Sequence, residues 1–201
     1  MIEVEKKFLL TEVNKKRLIR DAQFLHEYVF TDTYYDTQDF SLTGTDIWLR
    51  SREDRYELKV PMQEAGARAT DQYEEMEEES AIRTFLNLPS DGTLAEVLAS
   101  NGYKPFCTCK TTRRKYQKSP FIIDLDVVDF DHFVYTIGEI ELMVSRKSEI
   151  EGAVEKIIAF AKENQLTMAP VRGKVIEYLK RERPEHYHYL TQAGIVQDID
   201  A

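Results

Sequence analysis

Acidic and basic side chains recur two residues apart in several short segments of this sequence. Glu3, Glu5 and Lys7 alternate with Ile2, Val4 and Phe8, while Trp48, Arg50 and Arg52 alternate with Ile47 and Leu49. Glu57 and Lys59 stand against Tyr56, Leu58 and Val60. Asp124 and Asp126 stand against Ile123, Leu125 and Val127, Glu139 and Glu141 against Ile140, Leu142 and Val144, and Glu75 and Glu77 flank Met76. In an extended strand residues i and i+2 share a face, so each segment has one charged side and one apolar side. Carboxylate oxygens suit hard cations such as Mg2+ or Mn2+, which also bridge phosphate oxygens. Paired guanidinium groups offer forked donors for phosphate. Together these residue types are suited to binding a polyphosphate with a divalent metal.

A lone strand of this kind usually turns its charges to water. Here the charged faces carry Glu, Asp and Arg in i, i+2 pairs, and amphipathic helices elsewhere need an apolar sheet face to cover. If those helices cover the outside of a closed sheet, the charges line its interior, where they must pair with one another or with ligands. Strand signals fall at 2–9, 28–36, 45–53, 55–61, 72–79, 106–117, 120–128 and 136–145, rich in Val, Ile, Tyr and Phe and mostly closed by turn residues such as Asp54 and Ser119-Pro120. Helical patterns lie between them. One runs over about 11–24 behind a Thr11 cap, and another follows Ser90-Asp91 to Asn101-Gly102. Segment 149–164 places Ile150, Val154, Ile157, Ile158 and Ala161 at helical spacing; a further helix covers about 172–182, and Pro184 opens a short one. The order predicts an α+β fold: an eight-stranded antiparallel β-barrel tunnel with a charged lumen and helices packed outside, in one domain spanning 1–201.

The chain has 201 residues and a net charge of −9, which argues against nucleic acid or an anionic membrane as a partner. A small phosphorylated molecule is the expected partner, held by basic groups hidden in the lumen, and a monomer is expected. No apolar run approaches the length of a membrane span, and the first residues lack a signal-peptide pattern. Cys107 and Cys109 suit neither a disulfide framework nor a zinc site, so a cytoplasmic protein is expected. There is no GxxxxGK(S/T) phosphate loop. His186-Tyr187-His188 reads as part of a surface helix, and His26 and His132 are scattered. Trp48 shares parity with Arg50 and Arg52, so its indole should face the same lumen.

Beyond the alternation, Glu3-Val4-Glu5-Lys6-Lys7 resembles the ExExK signature of the CYTH superfamily, the triphosphate tunnel metalloenzymes. Asp32-Thr33-Tyr34-Tyr35-Asp36-Thr37, Trp48-Leu49-Arg50-Ser51-Arg52-Glu53, Tyr56-Glu57-Leu58-Lys59, Asp124-Leu125-Asp126 and Gly138-Glu139-Ile140-Glu141 follow in the family's order over nearly the whole chain. Two of these blocks, with Lys174 ahead of Tyr178-Leu179-Lys180-Arg181 and Arg183-Pro184, are most similar to the branch acting on thiamine triphosphate. The resemblance implies a hydrolase that removes the terminal phosphate with Mg2+, or with Mn2+ in its place. It implies that Arg50, Arg52, Lys59, Arg113 and Lys174 hold the triphosphate, with Lys7 close by. It also implies that Glu3, Glu5, Glu75, Asp124, Glu139 and Glu141 bind metal and that Trp48 stacks on the thiamine part. Arg113-Arg114-Lys115 leaves the basic residue there open, and the choice of Asp124 or Asp126 depends on strand phase. An inorganic triphosphatase on the same tunnel and a polyphosphate-binding module without catalysis are the alternatives. Tyr34 beside Lys59 is the candidate base, because a nearby cation lowers a phenol's pKa; Lys7 and Lys59 complete the expected catalytic group.

Overall fold

Alternation of period two divides inside from outside in the structure, a computed structural model that describes residues 2–62 and 70–199. The strands are β1 (Ile2–Phe8), β2 (Gln23–Asp36), β3 (Trp48–Arg52), β4 (Arg55–Pro61), β5 (Asp71–Met76), β6 (Lys104–Lys118), β7 (Phe121–Asp129) and β8 (Val134–Val144). They close into an antiparallel barrel in the order β1-β5-β4-β3-β2-β6-β7-β8, with β8 paired back onto β1. Closure pairs each strand with a neighbour on both sides and so leaves the sheet no open edge strand. The β3–β4 hairpin turns on Glu53 and Asp54, both with positive φ, as a two-residue turn between right-twisted strands requires.

Apolar outer faces are covered by helices. Against β1, β7 and β8, α1 (Glu12–Leu18) and α4 (Ile150–Glu163) bury Leu18, Ile157, Phe160 and Ala161 on Val4, Ile123 and Ile140. Against β3 and β4, α2 (Glu79–Phe85) and α3 (Leu94–Ser100) bury Ile82, Leu94 and Leu98 on Leu49 and Leu58. The pair α5 (Lys174–Glu182) and α6 (Pro184–Gln192) packs differently. Its Val175, Leu179 and Leu190 meet Tyr34, Cys107, Cys109, Val128 and Phe130. Tyr34, Cys107, Cys109 and Val128 have the parity of the lumen charges, so the inward face turns from charged to apolar at the end where α5 and α6 pack.

Several element boundaries differ from the sequence expectation, among them β3, which begins at Trp48 rather than at 45. The first helix stops at Leu18 because Asp21 takes a left-handed φ and Gln23 already pairs with Gln117, which lengthens β2 to 14 residues. The fifth strand ends at Met76, and the next residues form α2, which places Ile82 in the core. The helix expected from Ser90 begins at Leu94, behind a Thr93–Glu96 capping box. Residues 130–137 extend the β7–β8 hairpin, and Phe130 stacks on both Phe133 and Tyr178 of α5. Ile157→Ala, which opens a cavity between α4 and the barrel far from the lumen, should cost about 2–5 kcal/mol of stability; the shift in urea midpoint measures it.

Candidate functional site

The lumen is organised around fully buried Asp32 on β2. Arg52 donates to it through Nε and Nη2 at 2.7 and 3.1 Å, and Lys174 Nζ at the start of α5 lies 2.6 Å away. Arg50 adds Nη1 at 3.6 Å and donates through Nη2 to Glu57 at 2.5 Å. Although burial raises its pKa, Lys174 and Arg50 hold Asp32 well below the usual carboxylate range. Phe30 lies beneath the Arg52 guanidinium at 3.9 Å, with Lys174 and Arg113 also within cation–π reach. Three cations thus converge on one carboxylate. Arg50 Nε is buried without an acceptor among the described residues. An incoming anion would find forked donors already oriented and one donor unused.

Across the lumen the carboxylates crowd. Antiparallel pairing sets Glu5 directly opposite Glu141 and Asp124 directly opposite Glu139. Like charges facing each other across strands are unfavourable unless a cation lies between them. Glu3, Glu5 and Glu141 bring one oxygen each within 4.8 Å of one another, and so do Asp124, Glu139 and Glu141. Burial, helped by Glu5 and Glu75, pushes Glu3 up to about 7 against the pull of Lys59. Burial also raises Glu139 and, with Asp124 and Glu3, raises Glu141 well above its ordinary value. Glu5 goes the other way. Burial opposes its ionisation, but Lys7 and Lys59 hold it down to about 2. Arg113 pairs with Asp124, Asp126 and Glu139, and Lys115 pairs with Asp124 at 2.9 Å. Asp124 Oδ1 is nonetheless buried without a hydrogen-bond partner among the described residues. An orphaned carboxylate oxygen beside two close carboxylate triples fits a hard divalent cation with oxygen ligands.

Two lysines tie the carboxylate wall to further acidic residues. Lys59 donates to Glu3 at 2.5 Å and contacts Glu75 at 2.7 Å; Lys7 donates to Glu5 at 2.5 Å and to Asp71 at 2.6 Å. One cavity of about 570 Å3 is lined by the cations around Asp32, by Glu3, Glu5, Glu139 and Glu141, and by both lysines. At one side half-buried Trp48 and Tyr34 line it with Val175, Ile176, Ile195 and Val196, so a charged region grades into an apolar one. Trp48 Nε1 donates to Asp46 Oδ1 at 2.9 Å, and the same oxygen accepts from the Tyr73 hydroxyl at 2.9 Å. The indole is therefore held in one orientation.

The sequence-derived residues Glu3, Glu5, Lys7, Trp48, Arg50, Arg52, Lys59, Glu75, Arg113, Glu139, Glu141 and Lys174 all line this cavity. Asp124 lies within their network. Glu75 stands apart from the carboxylate triples, held by Lys59. Arg113 and Lys115 both point inward while Arg114 is exposed against Glu27, and Asp124 and Asp126 are both internal. The pairing of Tyr34 with Lys59 is corrected. The charged neighbours of Tyr34 are Lys174, Asp32 and Arg50, and its buried phenol is raised rather than lowered, so it is protonated at neutral pH and unsuited to act as a base. His186 is likewise buried rather than on a surface helix. Asp32, Asp71 and Asp46 escaped the sequence reading as site residues. The alternation already marked Asp32 by its parity with Tyr34, and Asp46 by its parity with Trp48 in the strand expected over 45–53; β3 instead begins at Trp48, and Asp46 sits in the turn before it.

The CYTH domain family model matches residues 1–170. Curated relatives described as thiamine-triphosphatase from Homo sapiens and Macaca fascicularis are each 33% identical over 215 residues, covering 96% of this chain and 91% of the relative. Among solved structures, the PH1819 protein from Pyrococcus horikoshii aligns with a TM-score of 0.62 at 22% identity, over 90% of this chain and 99% of that one. The protein HpAC1 from Hippeastrum, described as a putative adenylyl cyclase with a dominant triphosphatase activity, aligns with a TM-score of 0.54 at 17% identity, over 91% of this chain and 97% of that one. These two structural matches show the shared barrel fold.

Because Glu3, Glu139 and Glu141 are raised by burial and mutual repulsion, the free lumen retains protons that a divalent cation displaces. Mg2+ or Mn2+ binding near pH 7 should release protons, and apparent affinity should rise with pH. Titration calorimetry in buffers of different ionisation enthalpy checks this; buffer-independent heats would contradict it.

Proposed function

The chain belongs to the CYTH family, and from that membership we propose that it hydrolyses thiamine triphosphate to thiamine diphosphate and phosphate within the barrel, using a divalent cation. The observation that carries this reading is a single cavity joining three cations on Asp32, a crowded carboxylate wall and a fixed indole. Its volume of about 570 Å3 is in the range of pockets that enclose small organic ligands. The thiamine-triphosphatase relatives support the substrate, and the Trp48 face supports it physically. A cationic thiazolium over an indole gains roughly 0.5–2 kcal/mol, which inorganic triphosphate cannot.

In this mechanism Arg50, Arg52 and Lys174 bind the phosphate chain by taking its oxygens in exchange for Asp32, and Arg113 and Lys59 neutralise it from the opposite wall. Lys7 and Lys59 stay protonated, since their carboxylate neighbours raise both well above the ordinary lysine value despite burial. Glu3, Glu5, Asp124, Glu139 and Glu141 would hold the cation, with Glu75 acting through Lys59. When bound, Mg2+ or Mn2+ would supply charge neutralisation to the phosphate oxygens and activate water. Tyr34, protonated beside Lys174, acts as a hydrogen-bond donor. Phosphoryl transfer to water needs mainly positioning and charge neutralisation, which these groups provide. The reading further includes one domain over 1–201, a monomer and a cytoplasmic location; among the described residues no helix is long and apolar enough to cross a membrane.

Phosphate release from thiamine triphosphate, ATP and tripolyphosphate, with and without Mg2+, tests the reading; metal-dependent release with thiamine triphosphate preferred is expected. Equal rates on tripolyphosphate would move the assignment to an inorganic triphosphatase, and no release from any substrate would leave a binding module. Arg52→Ala should lower kcat/KM about 100-fold or more on every triphosphate. Trp48→Ala should raise KM for thiamine triphosphate about tenfold and leave tripolyphosphate unaffected.

A further inference from the structure

The platform for the organic group is held from a distance by a buried polar relay. Asp36, at the end of β2, accepts from Leu42 N at 3.0 Å, from Thr43 N at 2.9 Å and from Thr43 Oγ1 at 2.6 Å. Thr43 Oγ1 lies 2.7 Å from His186 Nε2 on α6. A carboxylate can only accept, so the single hydroxyl proton of Thr43 goes to Asp36 and Nε2 of His186 must carry the proton that it donates to Thr43. Burial keeps His186 down at about 4, which leaves the ring neutral and consistent with that tautomer. Phe40 stacks on the imidazole at 3.9 Å, and Phe106 meets it edge-on at 5.0 Å. Gly44 lies so close to Tyr189 that an added Cβ would come within 2.8 Å of its ring. The turn Thr43–Thr45 is thus fixed against α6. It ends on Asp46, whose left-handed backbone aims Oδ1 at both Trp48 Nε1 and the Tyr73 hydroxyl.

We propose that His186 is a positioning residue for substrate selection: through Thr43 and Asp36 it fixes the turn that sets Asp46 at the Nε1 edge of the Trp48 indole, and so couples α6 to recognition of the organic group. This rests on Trp48 being the platform for that group. The phosphate-binding cations lie outside the relay, so its loss affects the organic group and not the triphosphate.

Trp48 is the only tryptophan and serves as its own reporter. Thr43→Val and His186→Phe remove the relay while keeping shape or stacking, and Thr43→Ser keeps the hydroxyl. In the full chain with Mg2+, the first two should give a red-shifted emission that acrylamide quenches more readily. Their KM for thiamine triphosphate should rise about tenfold with kcat/KM on tripolyphosphate unchanged, the loss of one buried hydrogen bond at the site. Thr43→Ser should match the parent. Unaltered emission and KM in Thr43→Val overturn the proposal, and so does an equal loss on both substrates, which marks a general structural role. If His186→Phe does not fold, the two Thr43 variants decide the question alone. A parent enzyme with no preference for thiamine triphosphate removes the substrate reading, while the emission comparison still decides whether the relay positions Trp48.

Discussion

A closed barrel cannot leave a charge alone in its lumen. Taking a carboxylate or a guanidinium out of water costs several kcal/mol unless a partner of opposite sign and good geometry meets it. Here the strands direct acidic and basic side chains into the same enclosed space, and much of the architecture follows from the need to match them. Register places Arg113 opposite Asp126, Lys115 opposite Asp124, Arg52 opposite Asp32 and Arg50 opposite Glu57. The helices then cover the apolar face that the same alternation generates outside.

The matching is incomplete in one direction, and that gives the lumen its chemistry. Around Asp32 the cations are in excess, so an anion can replace the carboxylate without losing the geometry of its donors. Around Glu141 the carboxylates are in excess, directly opposed across strands, raised by burial and left with an orphaned oxygen on Asp124. An anion and a divalent cation entering together satisfy both excesses. Lys59 and Lys7 tie the acidic wall to Glu75 and Asp71.

Much of this was legible in the sequence because strands report their two faces through simple parity. The charged pairs from Glu3 to Glu141 could be assigned to one surface before any fold was known, and the covering helices implied that this surface was internal. Parity does not carry across loops. Asp46, which orients Trp48, has a left-handed backbone that takes it out of the strand alternation, and His186 reaches the site region only because α6 folds back over Gly44. Parity also gives a side but not a neighbour. Tyr34 was correctly placed inside, yet its partners proved to be Lys174 and Asp32, and burial moved its phenol in the opposite direction from the one a nearby lysine alone would give. The start of β2 at Gln23 was hidden for a related reason: a bulge between Phe24 and His26 breaks its alternation, and long-range pairing to β6 outweighs its weak local pattern.

The exchange of internal ion pairs for bound ligand can be observed directly. A crystal structure with a non-hydrolysable thiamine triphosphate analogue and Mg2+ should show phosphates on Arg50, Arg52 and Lys174, Asp32 released from at least one of them, and the cation between Asp124, Glu139 and Glu141 or between Glu3, Glu5 and Glu141. Ligand bound outside the barrel, with the Asp32 and Arg113 pairs unchanged, would contradict it.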